Sequence, residues 1–431
     1  MTAAPDLHAR TVPLEYGPDA LQFDGSPTVL FDRPGLTLVG WGTAALVRTH
    51  EATALLAAIP CDDAVSRTGS GVVALGALPF DRMLEGHLII PRFTMGIGRD
   101  ADGETHRWAT AIGPTDQPLP TTDELFDSVI WQYGTSPDGS QLADVHISAL
   151  ETPLPTADHA AMVQRAADIM RAPGAELRKV VLSRTVTAHL DGPLPLSSVL
   201  RRLRSHEPNC TIFSLPVPEG TFFGASPELL IARSGRHISC HPLAGTIARG
   251  DTARSDADAQ GRLAASPKDQ AEHRYVVDGI AETLRPLCDS LAVPTSPTLV
   301  TFRDVAHLGT RIEGELSEPA PAILELLHRL HPTPAVGGTP RDLALRTMAA
   351  LEPVPRGHWA GPIGWADAHG DGEWMIGIRS ARLHPDGATV TLHAGSGVLA
   401  DSDPDAEADE VNVKLGSVLE SVVPGGSVCL R

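Results

Sequence analysis

The stretch GHWAGPIGWADAHGDGEWMIGIRSARL, Gly357 to Leu383, sets the fold class of this chain. Two apolar runs rich in Trp, Ile and Met flank the turn His369-Gly370-Asp371-Gly372. Extended runs on either side of such a turn predict a β-hairpin, here GHWAGPIGWADA against WMIGIRSARL. The next run, ATVTLHAGSG from Ala388, continues the same sheet, and a helix is expected from about Asp403.

Moving upstream, TIFSLPV, TFFGASPELLIA and HISCHPL are further strands, followed by a helix from Ser266, a strand near Val300 and helices near Ile323 and Arg341. KVVLSRTVTAHL, from Lys179, has the Val and Thr content of a strand, and Asp158 to Arg171 reads as a helix before it. Residues Leu36 to Gly98 alternate short apolar runs with Gly and Pro and read mostly as sheet. Thr115 to Pro155, rich in Pro, Asp, Ser and Thr around the run SVIWQYG, reads as a surface excursion or a boundary between halves. Hairpin runs interrupted by groups of helices predict a large α+β architecture, not a doubly wound parallel sheet.

The composition supports a globular enzyme. Of the 431 residues 42% are hydrophobic and 20% charged, enough for a substantial core. A net charge of -19 excludes general affinity for nucleic acid or an anionic membrane, while leaving room for a local basic pocket. The cysteines Cys61, Cys210, Cys240, Cys288 and Cys429 are odd in number and lack C-x-x-C spacing, so neither a disulfide framework nor a zinc site is expected. Met1 to Tyr16 has no apolar export core, and nowhere do eighteen apolar residues run together, so a cytoplasmic protein is expected.

Two helix starts concentrate carboxylates. In Ser266-Pro267-Lys268-Asp269-Gln270-Ala271-Glu272 a Ser N-cap and a Pro at the first helical position precede Asp269 and Glu272, spaced three apart on one face. The apolar stripe Val276, Ile280, Leu284 and Leu287 projects back through Glu272. In Asp403-Pro404-Asp405-Ala406-Glu407-Ala408-Asp409-Glu410, Glu407 and Glu410 flank the stripe Val411, Leu415, Val418 and Val422. Acids on a core-facing stripe need positive partners, and a hard cation such as Mg²⁺ is the simplest. Equally, acids are common in first turns, Asp269 serves as a cap residue, and Glu410 has Lys414 four residues on.

Lys179 opens its strand, and Glu228 follows Ser226-Pro227 between two extended runs. Facing one cleft, burial would prepare a neutral amine base and a protonated acid; taken singly, they read as a solvated strand-end Lys and turn Glu. Arg379 has small neighbours that leave its fork room for an anion, or else lies at a sheet edge in water. Gly245 and Thr246 in PLAGT, with Gly395, Ser396 and Gly397 in HAGSG, offer N–H groups and hydroxyls to a carboxylate, or only turns. His307 contacts substrate or is a satisfied sheet histidine; His328 and His331 are expected to cap the end of their helix. The Walker, dinucleotide, nucleophile-elbow and H-E-x-x-H motifs are all lacking.

Taken together, GALPFDR, KVVLSR, FFGASPELL, PLAGTIARG, SPKDQAEH, LHPTPAVGGTP, RGHWAGPIGW, GEWMIGIRSARL and HAGSGVLADSDPDAEADEVNVK resemble the chorismate-utilising enzymes, isochorismate synthases most closely. They run from about Val72 to Lys414; the first seventy residues match loosely, so 71–431 is expected to be the catalytic unit and 1–70 part of the same fold. The resemblance implies two stacked sheets surrounded by helices. It implies Lys179 as the base that activates water for attack at C2 of chorismate, and Glu228 as the acid that protonates the departing C4 hydroxyl. It assigns Glu272 and Glu410 as Mg²⁺ ligands, Asp269 and Glu407 as acids holding metal-bound water, and Gly245, Thr246, Arg379 and Gly395 to the substrate's carboxylates, with His307 beside them. Ammonia-using relatives carry Gln in place of Lys179, and covalent aminodeoxychorismate synthases carry Lys in place of Ala244, so water is the expected nucleophile and no glutaminase partner is expected. Salicylate synthases, which go on to eliminate pyruvate, are the alternative; Thr246, at a site that is often Ser in siderophore-type synthases, slightly weakens that exclusion. Ala408 replaces a frequent aromatic. A monomer serving siderophore or menaquinone synthesis is the expectation.

Overall fold

The hairpin read from Gly357 onward forms as expected. In this computed structural model, which describes residues 6–15, 27–100, 102–121, 123–124 and 145–426, Pro362–Asp367 pairs antiparallel with Gly372–Ile376. Its turn is closed by Asp367, whose Oδ1 accepts the His369 and Asp371 N–H groups at 2.8 and 2.9 Å, while Gly370 takes φ 76°. The SVIWQYG run and Cys429 lie outside the described residues.

Two large sheets, antiparallel except where Cys61–Asp63 pairs in parallel with Leu7–Pro13, pack face to face, as the α+β expectation requires. One has thirteen strands, the other nine, and a small sheet of three joins Leu243–Ala248, Val305–Gly309 and Thr298–Thr301 among the described residues. Between the large sheets lies an apolar layer that includes Phe31, Leu38, Leu75, Trp108, Phe213 and Trp365. Burying a side chain of this size is worth about 1.5–3 kcal/mol, so this layer fixes which faces meet. Strands from the first seventy residues enter both sheets: Val29–Arg33 and Leu36–Trp41 in the larger, Ala45–Arg48 at the edge of the other.

Among the described residues the helices longer than one turn are α1 (Thr49–Ala58), α2 (Thr156–Arg171), α3 (Leu196–His206), α4 (Ala253–Ala265), α5 (Pro267–Leu284), α6 (Ile323–Leu330), α7 (Arg341–Leu351) and α8 (Pro404–Val422). Three of them, α1, α3 and α4, go beyond what the sequence reading assigns, and α2 starts two residues earlier than expected. None of the described helices is long and apolar enough to cross a membrane. Outer helices cover the sheets: α3 and α8 pack over the larger one, through Val199, Leu203, Val411 and Leu415 among others.

Three segments with unbroken strand-like sequence are in fact divided. GTFFGAS (Gly220–Ser226) belongs to the thirteen-stranded sheet and LLIARS (Leu229–Ser234) to the nine-stranded one. GEWMI (Gly372–Ile376) and SARL (Ser380–Leu383) divide in the same way, and VAHLG (Val305–Gly309) is likewise separate from IEGEL (Ile312–Leu316). The first two breaks have visible causes. Pro227 has no N–H to give to a ladder, and Arg379 takes φ 52°, outside the extended region.

These two crossings pair with each other. Ala225 N–H donates to Arg379 O at 3.1 Å, Ile376 N–H to Glu228 O at 3.0 Å, and Ser226 Oγ to Ile376 O at 2.6 Å. The chain thus passes from one sheet to the other twice, side by side, and this seam carries both Glu228 and Arg379.

Candidate active site

Along the seam opens a cavity lined by Glu228, Gly245, Thr246, His307, Arg379 and Gly395, with Glu272 and Glu410 at one end. Lys179, Asp269 and Glu407 stand immediately behind this lining. Strand Lys179–Leu190 pairs with Thr389–Val398, setting Ser183 opposite Gly395 and Val180 opposite Val398, so Lys179 is carried beside Gly397. The reading of Lys179 and Glu228 as solvated residues is overturned: they are 0% and 3% exposed.

Glu228 has its pKa pushed up to about 8, chiefly by desolvation, although its carboxyl faces the Leu243 N–H and the charges of Lys179 and Lys414. It is therefore a carboxylic acid at neutral pH. Lys179 Nζ lies 3.1 Å from Glu272 Oε1, without a hydrogen bond of good geometry to any group described. The pair is a protonated acid and a buried lysine held against a carboxylate.

His307 has a defined tautomer. Its Nδ1 lies 3.0 Å from Gly245 O and 3.1 Å from Thr246 Oγ1; a carbonyl only accepts, so Nδ1 carries the proton. Burial, with Arg379 nearby, holds the ring's pKa well below its ordinary value, so Nε2 is free to accept from Arg379 Nη2 at 3.4 Å. The histidine thus steadies the arginine fork by a neutral contact. Arg379 is not the mid-strand residue the sequence suggests, because its positive φ turns it out of the ladder.

The acids stand at the predicted helix starts. Ser266 Oγ accepts the Asp269 N–H at 3.2 Å, and Asp403 Oδ1 accepts the Asp405 and Ala406 N–H groups at 3.0 Å each. Each cap is worth about 1 kcal/mol and fixes where its carboxylates sit. Burial first, then Glu410, raises the pKa of the 2%-exposed Glu407, which also accepts from Ser402 Oγ at 2.8 Å; Asp269 is raised by burial and by Glu272. Lysines balance this charge: Lys268 pairs with Glu407, Lys414 Nζ lies 2.6 Å from Glu410, and Lys179 attends Glu272. The i,i+4 pairing of Glu410 with Lys414 is therefore real, alongside its place at the cavity. In this arrangement no three of the four acids bring ligand atoms within 4.8 Å of one another; among the described residues only Asp100, Glu104 and His106 do so, and Arg67 already holds Asp100 at 2.8 Å.

Sequence reasoning missed several residues here. Lys414 also donates to Gly395 O at 3.0 Å, tying the last helix to the glycine strand. Trp359 and His393 stack at 5.7 Å and 19° to form one wall, with His393 pushed down to about 3, chiefly by burial, and bonded to Thr185 at 3.0 Å. A His two residues before Gly395 carries no helical or metal-ligand spacing to mark it. Conversely His331 stands at the C-cap of α6 through its backbone N–H to Leu327 O, but its ring reaches Phe80 O at 2.9 Å instead of the helix carbonyls, while the His328 ring meets Arg82.

A two-sheet fold whose seam holds a buried acid, a buried amine and two acidic helix starts is that of an enzyme for a small anion. Residues 48–423 match the family described as chorismate binding enzyme, and the chain belongs to that family. It is 35% identical over 366 residues, covering 83% of this chain and 88% of the relative, to a Mycobacterium tuberculosis (strain H37Rv) protein provisionally named isochorismate synthase MenF. It is 40% identical over 255 residues, 57% of this chain and 63% of the relative, to isochorismate synthase DhbC of Bacillus subtilis. Among solved structures, a Bacillus anthracis protein provisionally described as a 2,3-dihydroxybenzoate-specific isochorismate synthase, DhbC, superposes with a TM-score of 0.74 at 29% identity, covering 97% of this chain and 98% of that one.

Proposed function

We propose that the chain is an isochorismate synthase, converting chorismate reversibly to isochorismate. The observation that carries the mechanism is the burial of Glu228 in the cavity wall, protonated at neutral pH, with Lys179 buried behind the lining at Glu272 and Gly397. Lys179 removes a proton from the attacking water as its oxygen bonds to C2. The ring double bonds shift, and Glu228 protonates the C4 hydroxyl, which leaves as water. Arg379, steadied by His307, and the Gly245, Thr246 and Gly395 backbone receive the substrate's carboxylates.

Mg²⁺ is the proposed cofactor, with Glu272 and Glu410 as principal ligands and Asp269 and Glu407 behind them. The donor set fits: four carboxylates at two helix starts are hard oxygen ligands. The glycines opposite them leave room, since a Cβ at Gly397 would fall 2.0 Å from Glu272 Oε1, and one at Gly245 3.1 Å from Asp269 Oδ1. When bound, the ion supplies a positive charge that stabilises the developing anion of the ring system. Gly397→Ala, which pushes on both Glu272 and Lys179 Cε, is expected to raise the Mg²⁺ concentration for half-maximal activity by about tenfold or more. A magnesium titration of activity, with folding checked by circular dichroism, measures this.

The function itself is tested by incubating the purified protein with chorismate and Mg²⁺, separating the products and measuring pyruvate. Isochorismate without pyruvate is expected. Stoichiometric pyruvate with salicylate would replace this reading by that of a salicylate synthase.

A further inference from the structure

Two independent contacts fix the imidazole of His393 in the wall of the chorismate cavity. Strand Thr389–Val398 turns alternate residues to the same face, so His393, Gly395 and Gly397 stand in one row, and all three line the cavity. Thr185 lies opposite His393 in the neighbouring strand, with its Oγ1 3.0 Å from His393 Nδ1. The Trp359 indole stacks on the imidazole at 5.7 Å and 19°. The indole is itself supported: the Arg356 guanidinium stands 5.1 Å from its ring and 4.4 Å from that of Phe80. Arg356 is 6% exposed, pairs with Glu352, and donates to Val181 O at 2.8 Å and Val336 O at 2.7 Å. A stack thus sets the plane of the imidazole and a hydroxyl its rotation, and a group fixed in advance costs little to order when a ligand arrives.

The same hydroxyl decides where the proton sits. Thr185 is buried, and among the described residues His393 Nδ1 is the sole hydrogen-bond partner of its Oγ1. If Nδ1 carried the proton, the hydroxyl hydrogen would be left buried without an acceptor, which is costly. Nδ1 therefore accepts from Thr185, and because burial keeps the ring neutral, Nε2 carries the single proton. Nε2 has no partner among the described residues, yet it is not sealed from solvent as both ring nitrogens of His159 are. Arg356 and Arg382 are the charged groups whose field reaches the ring, and a positive field favours an anionic acceptor. A fixed, accessible and unpaired N–H on a residue that lines a cavity is a donor kept for a ligand.

We propose that His393 is a substrate-binding residue whose Nε2–H donates to the substrate carboxylate beside Gly395, and that Thr185 is the positioning residue that holds it in this tautomer. The proposal deepens the isomerase reading and rests on it for the identity of the substrate.

Wild type, His393→Phe and Thr185→Val are compared as full-length, Mg²⁺-loaded protein. His393→Phe keeps a ring for Trp359 to stack on and loses the N–H. Its KM for chorismate is expected to rise at least about tenfold, the loss of one hydrogen bond to a charged group, with kcat within about threefold of wild type. Thr185→Val keeps the shape and releases the tautomer, so a smaller rise in KM, about threefold, is expected. NMR of ¹⁵N-histidine-labelled protein, with the His393 signal identified by its loss in His393→Phe and its shift in Thr185→Val, reads the tautomer itself. A protonated Nε2 is expected in the wild type, with a shift at that nitrogen when chorismate is added. A KM within about twofold of wild type in His393→Phe, a loss confined to kcat, or an Nδ1–H tautomer in the wild type overturns the proposal. If His393→Phe does not fold, the KM of Thr185→Val and the wild-type spectrum decide in its place. The isomerase reading is decided by the wild-type products alone, and this proposal by the variants' KM and the Nε2 signal, so the two fail separately.

Discussion

Glu228→Gln is expected to lower turnover of chorismate by at least about two orders of magnitude, the usual scale for a positioned proton donor. The amide keeps the shape and the approach of the Leu243 N–H but has no acidic proton to give. The wild-type rate has a matching signature. With the acid's pKa near 8, the forward rate falls as pH rises through about 8, because the form able to protonate the leaving hydroxyl is lost. A rate profile from pH 6 to 9.5 checks this, and a flat profile to pH 9.5 would remove Glu228 from its role. Stability gives a second check with a defined sign. A carboxyl whose folded pKa lies above its unfolded value stabilises the fold fully below about 4.5 and loses that contribution as pH rises through about 8. Glu228→Gln, which cannot ionise, is therefore expected to melt higher than wild type at pH 8.5, so that an inactive variant cannot be dismissed as unfolded.

Lys179→Gln is expected to cost as much in turnover, about a hundredfold or more, while chorismate still binds. The amide is close in length but is no base for water, and the carboxylate-binding groups on the far side of the cavity are untouched. Measured by single-turnover kinetics beside a binding titration, the loss should appear in the chemical step. A variant that turns over near the wild-type rate would exclude the amine as the base.

What the sequence discloses follows what is local. Both acidic helix starts were legible because Ser266 and Asp403 cap them and Pro follows at the first helical position, chemistry contained within four residues. The hairpin at Asp367 to Gly372 was legible for the same reason. The missed α1 shows the limit: in Thr49–Ala58 only Ala52 and Leu56 are buried, so little apolar period marks the helix amid strand-like runs. Period-two alternation also cannot say to which sheet a strand belongs, which is why GTFFGASPELLIA and GEWMIGIRSARL read as unbroken. Burial of Lys179 and Glu228 depends on residues more than a hundred positions away, and no local pattern separates them from solvated charges. The roles proposed for them come only from resemblance of whole segments; the fold puts Glu228 in the cavity wall and Lys179 buried just behind it.

The paired crossings at Ser226 to Leu229 and Ile376 to Ser380 have one more consequence. Glu228 and Arg379 are held there by hydrogen bonds between segments some 150 residues apart, so the cavity they line exists only after both sheets have found their partners and closed on each other. Pairing so distant in sequence is slow to form. Recovery of activity during refolding should therefore trail the recovery of secondary structure, and catalysis becomes the chain's own report that its assembly is complete.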